Sequence, residues 1–163
     1  MVWGCFWYEN GAIQRSDLYI MDRDFESKKY GYSSRSYLEV LDNNMPICWS
    51  PGLIFMQDNA SIHTAHAVID WFEDMAIPLA DHLPFSLDMN PIEHIWWHLK
   101  NHVLKLHPEL NDMGSSEEDI QALEQALIEV WAAIPSEIFQ SCLDSMPKRV
   151  AAVIAADGWH TKY

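Results

Sequence analysis

Basic residues are scarce in this 163-residue sequence. Ten Lys and Arg stand against 24 Asp and Glu, which gives a formal net charge of −14. Free-standing nucleic-acid-binding domains usually carry a basic surface, so this balance argues against a domain that holds DNA by itself. A nuclease core is still compatible with an acidic chain, because metal ions offset charge at the site and attached domains can hold the DNA.

Long apolar runs and paired cysteines are absent as well. No run approaches the length of a membrane span, and the start lacks the charged-then-apolar pattern of a signal peptide. Cys5, Cys48 and Cys142 show no CxxC spacing. We therefore expect an intracellular protein with reduced thiols, no secretion and no membrane partner. The sequence is instead rich in apolar residues, 49% of the total with eight tryptophans, which is enough for one packed domain.

The order of patterned segments predicts an α/β fold with a helical C-terminal part. Segments 1–8 and 12–21 are expected to form strands around Asn10-Gly11, a hairpin signal because both positions tolerate positive φ. The apolar run 53–57 is typical of a strand covered on both faces, and 77–79 of a weaker strand. Helices are expected to begin at Ser33 or Ser34 (ending near Leu41), near Thr64, at Asn90-Pro91, at Ser115-Ser116, at Ser136 and at Pro147 (ending at Gly158).

Two carboxylates stand at the boundaries of these elements. Asp58 ends the apolar run, and Glu93 lies at the start of the helix after Asn90-Pro91, with 34 residues between the two acids. Open α/β sheets bind ligands at the carboxyl ends of their strands, and Mg²⁺ or Mn²⁺ prefers such oxygen ligands. In a site with two ions, Asp58 would bridge the ions and Glu93 would hold one of them, as phosphodiester chemistry requires.

Each of these residues also has a purely structural interpretation. Asp58 is suited to capping the turn after its strand, and Glu93 to completing a capping box. Asn59 is small enough to let a substrate backbone come close, and His63 would contact a phosphate, order the site or make a hydrogen bond at the helix entry. Taken together, the four residues favour a site, with Asn59 and His63 as candidate substrate-binding residues.

A second candidate metal site is a stripe of histidines. His94, His98 and His102 recur every fourth residue, as zinc ligands on a helix would. They fall opposite the apolar stripe of the same predicted helix, so a solvated face is the favoured interpretation.

The two acidic blocks resemble a known family. Segment 56–60 (Met-Gln-Asp-Asn-Ala) with His63, and segment 86–96 (Ser-Leu-Asp-Met-Asn-Pro-Ile-Glu-His-Ile-Trp), are similar to the catalytic domain of mariner-superfamily DDE transposases, including the spacing of the acids. The resemblance extends to residues 2–4, Gly11 and 145–163, and so covers almost the whole chain. It implies a ribonuclease-H-like mixed sheet flanked by helices, and one DDE endonuclease domain over residues 1–163.

The resemblance also implies a reaction and a site. Asp58 matches the second catalytic acid and Glu93 the third, so both are expected to be catalytic and to hold two Mg²⁺ (or Mn²⁺) ions. The reaction would be the cutting and joining of transposon DNA ends in the nucleus, by a chain that forms a homodimer.

One departure from the family pattern affects the expected activity. The first family acid lies on the central strand, which precedes the hairpin, and no residue before Met1 supplies it. Nor does the sequence contain the N-terminal helix-turn-helix domains that recognise transposon ends. We therefore expect a domain incomplete at its N-terminus with little or no strand-transfer activity. The alternative is a non-catalytic, domesticated interaction module that keeps the same fold.

Overall fold

The computed structural model describes residues 1–28, 30–80 and 89–157. Within these residues the chain combines short strands with longer helices, which confirms the predicted α/β composition. The strands are β1 (Val2–Trp3), β2 (Phe6–Glu9), β3 (Ala12–Arg15) and β4 (Tyr19–Ile20). The helices are α1 (Ser34–Cys48), α2 (His66–Asp74), α3 (Ile92–Leu106), a 3₁₀ helix (Pro108–Asp112), α4 (Glu117–Ala133) and α5 (Ser136–Ala155).

The chain divides into two compact units, each assembled from two separate segments. The first unit consists of Met1–Cys5 and Tyr19–Asn90, and the second of Phe6–Leu18 and Pro91–Tyr163. The predicted strands over residues 1–8 and 12–21 are therefore each split between the units. None of the helices in the described ranges has the length and hydrophobicity that a membrane crossing needs.

In the first unit, a short antiparallel pair lies with α1 and α2 around one core. Strand β1 pairs with β4, so that Val2 lies opposite Ile20 and Trp3 opposite Tyr19. Both helices are amphipathic, and their apolar stripes face inward. The buried residues of this core are Trp3, Met21, Tyr37, Val40, Leu41, Met45, Val68, Phe72 and Ile77.

Helix α1 is longer than predicted. Ser33 is its N-cap, as expected, and the Ser33 hydroxyl accepts hydrogen bonds from the backbone N–H groups of residues 35 and 36. The helix does not end near Leu41 but continues through Pro46 to Cys48. Met45 and Cys48 are buried, so the packing of a further turn outweighs the one backbone hydrogen bond that proline cannot donate.

The apolar run 53–57 does not form the doubly covered strand that was predicted. Only Phe55 pairs, in a parallel bridge to Leu79: its N–H donates to the Pro78 carbonyl and its C=O accepts from Ala80 N–H, both at 2.8 Å. The weaker strand predicted over residues 77–79 is likewise reduced to this isolated bridge at Leu79. The side chain of Phe55 stacks on Phe72, whereas Ile54 is 65% exposed, because core elements cover only one side of the segment.

In the second unit, a hairpin packs with three helices. Strands β2 and β3 pair antiparallel and are joined by the turn Asn10-Gly11. The φ angles of these two residues, 53° and 82°, confirm the predicted turn. Phe6 of the hairpin contacts Phe139 of α5, and the Trp131 indole N–H donates to the Ser16 carbonyl at 2.9 Å. The helices bury Ile95, Leu99 and Val103 of α3, Ala126, Val130 and Trp131 of α4, and Phe139, Cys142 and Val153 of α5.

The two C-terminal helices that were predicted are one helix. We expected a new helix at Pro147, but α5 runs unbroken through this residue. Cys142 lies before the proline and Val153 after it, and both are buried on the same helix, which holds the two halves on one core. Gly158, expected to stop the last helix, lies outside the described residues.

Candidate functional site

Asp58 lies three residues after the Phe55 bridge and starts a tight turn. Its Oδ1 accepts a hydrogen bond from the backbone N–H of Ala60 at 3.0 Å. The turn continues as His63 N–H and Thr64 N–H both donate to the Ala60 carbonyl, at 2.8 and 3.0 Å. The structural interpretation of Asp58, a residue that caps its own turn, is therefore correct as far as it goes.

The same turn brings His63 against Asp58. His63 Nδ1 lies 2.6 Å from Asp58 Oδ1, and the side chains are 20% and 29% exposed, respectively. An ionised carboxylate only accepts hydrogen bonds, so the proton on this pair is carried by Nδ1. Two donors thus converge on Oδ1, while Oδ2 accepts no hydrogen bond from the part of the chain that the structure describes.

Two residues that the sequence analysis did not single out support this pair. The ring of Tyr37, on α1, packs against the His63 ring with centroids 4.3 Å apart. The Tyr37 hydroxyl donates to Gln57 Oε1 at 2.7 Å, and Gln57 Nε2 donates to the His63 carbonyl at 3.3 Å. Gln57 adjoins the acid in sequence and could have been found. Tyr37 has the spacing of an ordinary core residue, and nothing in the sequence links it to His63.

Glu93 lies in the first turn of α3 and is half-buried. The helix begins at Ile92, preceded by Pro91, which makes no side-chain cap hydrogen bond, so the capping box expected from Asn90 is not how this helix starts. Asn90 itself is buried. Asp58 belongs to the first unit and Glu93 to the second. The convergence of the two acids therefore stays a prediction.

The remaining predicted site features are of two kinds. Asn59 is exposed and follows Asp58 directly, as an approach for a substrate backbone would require. Residues 86–88 of the second acidic block lie outside the described residues.

The donor chemistry at Asp58 fits a hard divalent cation. Among the described residues, two contacts hold Asp58 Oδ1 and none is a hydrogen bond to Oδ2, which is the arrangement that a carboxylate ligand needs. Across residues 1–28, 30–80 and 89–157, no group of three or more His, Cys, Asp or Glu side chains is placed to hold a metal ion. A complete coordination shell is thus not formed by the described residues alone.

The stripe formed by His94, His98 and His102 was the second candidate metal site. The rings of His98 and His102 stack at 3.8 Å, and His102 Nδ1 lies 3.0 Å from the His98 carbonyl. Partial burial, with the charge of Arg149 as a smaller cause, lowers the pKa of His94; burial and His102 lower that of His98. The zinc interpretation gains no third ligand from the described residues.

Comparison with known proteins gives close relatives. No family model matches the chain. It is 35% identical over 168 residues to the "Transposable element Tcb2 transposase" of Caenorhabditis briggsae, and 35% identical over 163 residues to the "Transposable element Tc1 transposase" of Caenorhabditis elegans. Each comparison covers 100% of this chain and 54% of the relative. The chain thus spans about half the length of the curated relatives that it matches.

Solved structures with a similar fold include the catalytic domain of Mos1 mariner transposase. The TM-score is 0.61 at 22% identity, over 98% of this chain and 75% of that chain. The Mos1 strand transfer complex gives a TM-score of 0.64 at 21% identity, over 98% of this chain and 43% of that chain. At this identity the likeness concerns the fold, and it confirms the ribonuclease-H-like fold that was predicted.

Proposed function

Because the chain is a homologue of the Tc1/mariner transposases along its whole length, we propose that it is a transposase-derived DDE endonuclease domain. Its ancestral reaction is metal-dependent cleavage of phosphodiester bonds and transfer of the cut DNA strand. In the 163-residue chain, Asp58 and Glu93 match two of the three family acids. We propose that this polypeptide, tested alone, is weakly active or inactive.

The observation that carries the proposal is the way in which its neighbours hold the Asp58 carboxylate. Its Oδ1 receives the Ala60 N–H and lies 2.6 Å from His63 Nδ1. A carboxylate held in this way presents its second oxygen in a fixed direction, which favours a ligand over a residue that only caps a turn. Chain position supports the same proposal, since Asp58 closely follows the extended residue Phe55, where α/β folds place ligands.

The roles of the individual residues follow from this chemistry. Asp58 would bridge two Mg²⁺ or Mn²⁺ ions, Glu93 would hold one of them, and Asn59 and His63 would contact the substrate backbone. The ions would supply an activated oxygen nucleophile and stabilise the leaving oxygen. The structures of the Mos1 transposase catalytic domain with Mn and with Mg support this choice of ions.

The partners proposed for the complete protein come from the same relatives. Structural neighbours include the Mos1 paired-end complex with the left transposon end, which supports DNA ends as the substrate. We propose a homodimer acting in the nucleus, where chromosomal DNA is found. Acting on DNA would require further basic surface, because the net charge of this chain is −14.

Mn²⁺ binding tests the proposed acids. Titration of the purified chain, followed by electron paramagnetic resonance, should show binding that Asp58→Asn and Glu93→Gln each weaken by about tenfold or more. Matched controls remove the same charge elsewhere. Asp70→Asn alters an exposed acid of the first unit, and Glu137→Gln alters the first turn of α5 as Glu93→Gln alters that of α3.

The controls decide between a site and general surface charge. If Asp70→Asn and Glu137→Gln weaken Mn²⁺ binding as much as the site variants do, the ions are bound by the acidic surface and the proposed site does not exist. If Asp58→Asn weakens binding but Glu93→Gln does not, the assignment of Glu93 is wrong.

The second candidate function is a non-catalytic interaction module with the same fold. The net charge of −14 favours it, because an acidic surface suits protein partners better than DNA. This alternative requires neither Mn²⁺ binding at Asp58 nor DNA binding by the chain, and so predicts that both are absent.

A further inference from the structure

Asp58 is held by its neighbours more tightly than a turn residue needs to be. The Ala60 N–H alone would close the turn, at 3.0 Å. The contact of 2.6 Å with His63 Nδ1 adds a second restraint on the same oxygen. With both donors on Oδ1, rotation of the carboxyl group about its Cβ–Cγ bond would break two hydrogen bonds together. The direction of Oδ2 is therefore set by where His63 lies.

His63 is in turn held from three sides. Its N–H donates to the Ala60 carbonyl at 2.8 Å, and its carbonyl accepts from Gln57 Nε2 at 3.3 Å. The tilted Tyr37 ring, at 42° to the imidazole, covers one face of His63. The imidazole thus cannot swing away from Asp58 without losing its contact with Tyr37.

Tyr37 connects this arrangement to the core of the first unit. It is 1% exposed and belongs to the core formed by α1 and α2. Burial raises the pKa of Tyr37 well above its usual range, and the negative charge of Asp58 raises it further, so the hydroxyl stays protonated and donates. By donating to Gln57 Oε1, it leaves the amide nitrogen of Gln57 to face the His63 carbonyl.

We infer that Tyr37 is a positioning residue: its hydroxyl, through Gln57, and its ring, through His63, fix the direction of the Asp58 carboxylate at the ion site. This inference rests on the proposed function for the identity of the ion. The arrangement of Tyr37, Gln57, His63 and Asp58 does not depend on it. A core tyrosine that merely needs a hydrogen-bond partner would bond to Gln57 without any effect on Asp58.

Tyr37→Phe separates the two interpretations, because it keeps the ring and removes the hydroxyl. In metal-free protein at pH 8, long-range ¹H–¹⁵N spectra should show His63 as the Nδ1–H tautomer, with His63→Gln giving the assignment. In Tyr37→Phe we expect averaging between the two tautomers. Tyr32→Phe is the matched control, since Tyr32 packs on the same core and its hydroxyl accepts from the N-terminal amine instead.

Mn²⁺ affinity is the second measurement. We expect His63→Gln and Tyr37→Phe each to weaken it by about tenfold, as partners of a metal ligand do, and Tyr32→Phe to leave it unchanged. If Tyr37→Phe fails to fold, Gln57→Met breaks the same connection while leaving Tyr37 in the core, and the same two effects are expected.

The outcomes distinguish this inference from the proposed function. An unchanged His63 tautomer and unchanged Mn²⁺ affinity in a folded Tyr37→Phe chain would overturn the positioning role, provided that Asp58→Asn still weakens binding. If Asp58→Asn leaves Mn²⁺ affinity unchanged, the proposed function fails. In that case a tautomer change in Tyr37→Phe alone would still establish that Tyr37 sets the position of His63, and its absence would overturn that too.

Discussion

Arg15 joins the hairpin of the second unit to the end of α4. Its Nη1 donates to the Ile134 carbonyl and its Nη2 to the Ala132 carbonyl, both at 2.6 Å. The guanidinium also lies over the Phe139 ring, 5.2 Å from its centroid. Carbonyls at a helix C-terminus have no partner within the helix and carry partial negative charge. Arg15 therefore supplies hydrogen bonds to carbonyls at the C-terminus of α4, and its positive charge offsets their partial negative charge.

We expect Arg15→Ala to lower the free energy of unfolding by about 1–3 kcal/mol, the usual loss for hydrogen bonds made by a charged group. Urea denaturation followed by circular dichroism measures the change. Arg35→Ala is the control, because the Arg35–Glu26 pair is 71% and 78% exposed and such pairs contribute little. Equal losses in the two variants would show that Arg15 acts only as a surface charge.

The residue scale also shows where the sequence is informative. Asp58 and His63 lie five residues apart on one turn, and their pairing could be anticipated from local spacing. Arg15 bonds to a carbonyl 119 residues away, and Tyr37 to a side chain 20 residues away. Local patterns carry no information on contacts of that kind, since they depend on how whole elements pack.

Among the elements, α4 has the most complete N-terminal cap. The Ser116 hydroxyl accepts from the Asp119 backbone N–H, and the Asp119 carboxylate accepts from the Ser116 N–H, a reciprocal capping box. The hydrogen bond from the Ser116 hydroxyl is the largest cause that lowers the pKa of Asp119 below its ordinary 3.8, and the bond from the Ser116 backbone N–H is the second. The charged form is thus favoured in the folded state, and its contribution is complete above pH 3.8 and lost as pH falls through the lowered pKa.

Ser116→Ala should remove both effects of the Ser116 hydroxyl, the cap of α4 and the lowering of the Asp119 pKa. We expect a loss of about 1 kcal/mol in the free energy of unfolding at pH 7, typical of an N-cap serine. The pKa of Asp119, followed by NMR, should rise toward its ordinary value, and unfolding should depend less on pH below 4. Ser115→Ala is the control, since the sequence allows either serine as the cap and the structure uses Ser116. A Ser115 variant with the larger loss would contradict this choice.

Helix ends were harder to predict than helix beginnings. Ser33 and Ser116 act as N-caps where the sequence indicates them. The helix end expected near Leu41 and the new helix expected at Pro147 were both wrong, because α1 continues through Pro46 and α5 through Pro147. A cap is a local hydrogen bond, whereas the cost of a proline is weighed against burial of the following turn, which depends on the tertiary core.

At the scale of the molecule, the division into two units was not predictable from the strand pattern. One apolar segment, residues 1–8, supplies β1 to the first unit and β2 to the second. Both strands contain aromatic residues, Trp3 in β1 and Phe6, Trp7 and Tyr8 in β2, so nothing in the pattern indicates a boundary between them. The predicted α/β composition and the predicted hairpin are confirmed, since they depend on the alternation of apolar and polar residues and on the turn residues Asn10 and Gly11.

The charge of the whole chain yields a last prediction, on DNA. Duplex DNA and a chain of net charge −14 repel each other, and a protein gains affinity for DNA by replacing counterions with its own basic groups. In fluorescence anisotropy at physiological salt, we expect a dissociation constant for a 25-base-pair duplex no tighter than about 10⁻⁴ M, the weak end of non-specific binding.

Manganese should improve this binding only through the acids. We expect added Mn²⁺ to strengthen binding of the duplex in the unaltered chain and in Asp70→Asn, and not in Asp58→Asn, because ions held at Asp58 would offset charge where the DNA approaches. Under the proposed function, in which this polypeptide tested alone is weakly active or inactive, nicking of supercoiled plasmid should stay near background in all three. Metal-free binding tighter than about 10⁻⁶ M would show that the acidic surface does not govern the approach of DNA. Robust nicking that Asp58→Ala abolishes would show that two matched acids suffice for cleavage.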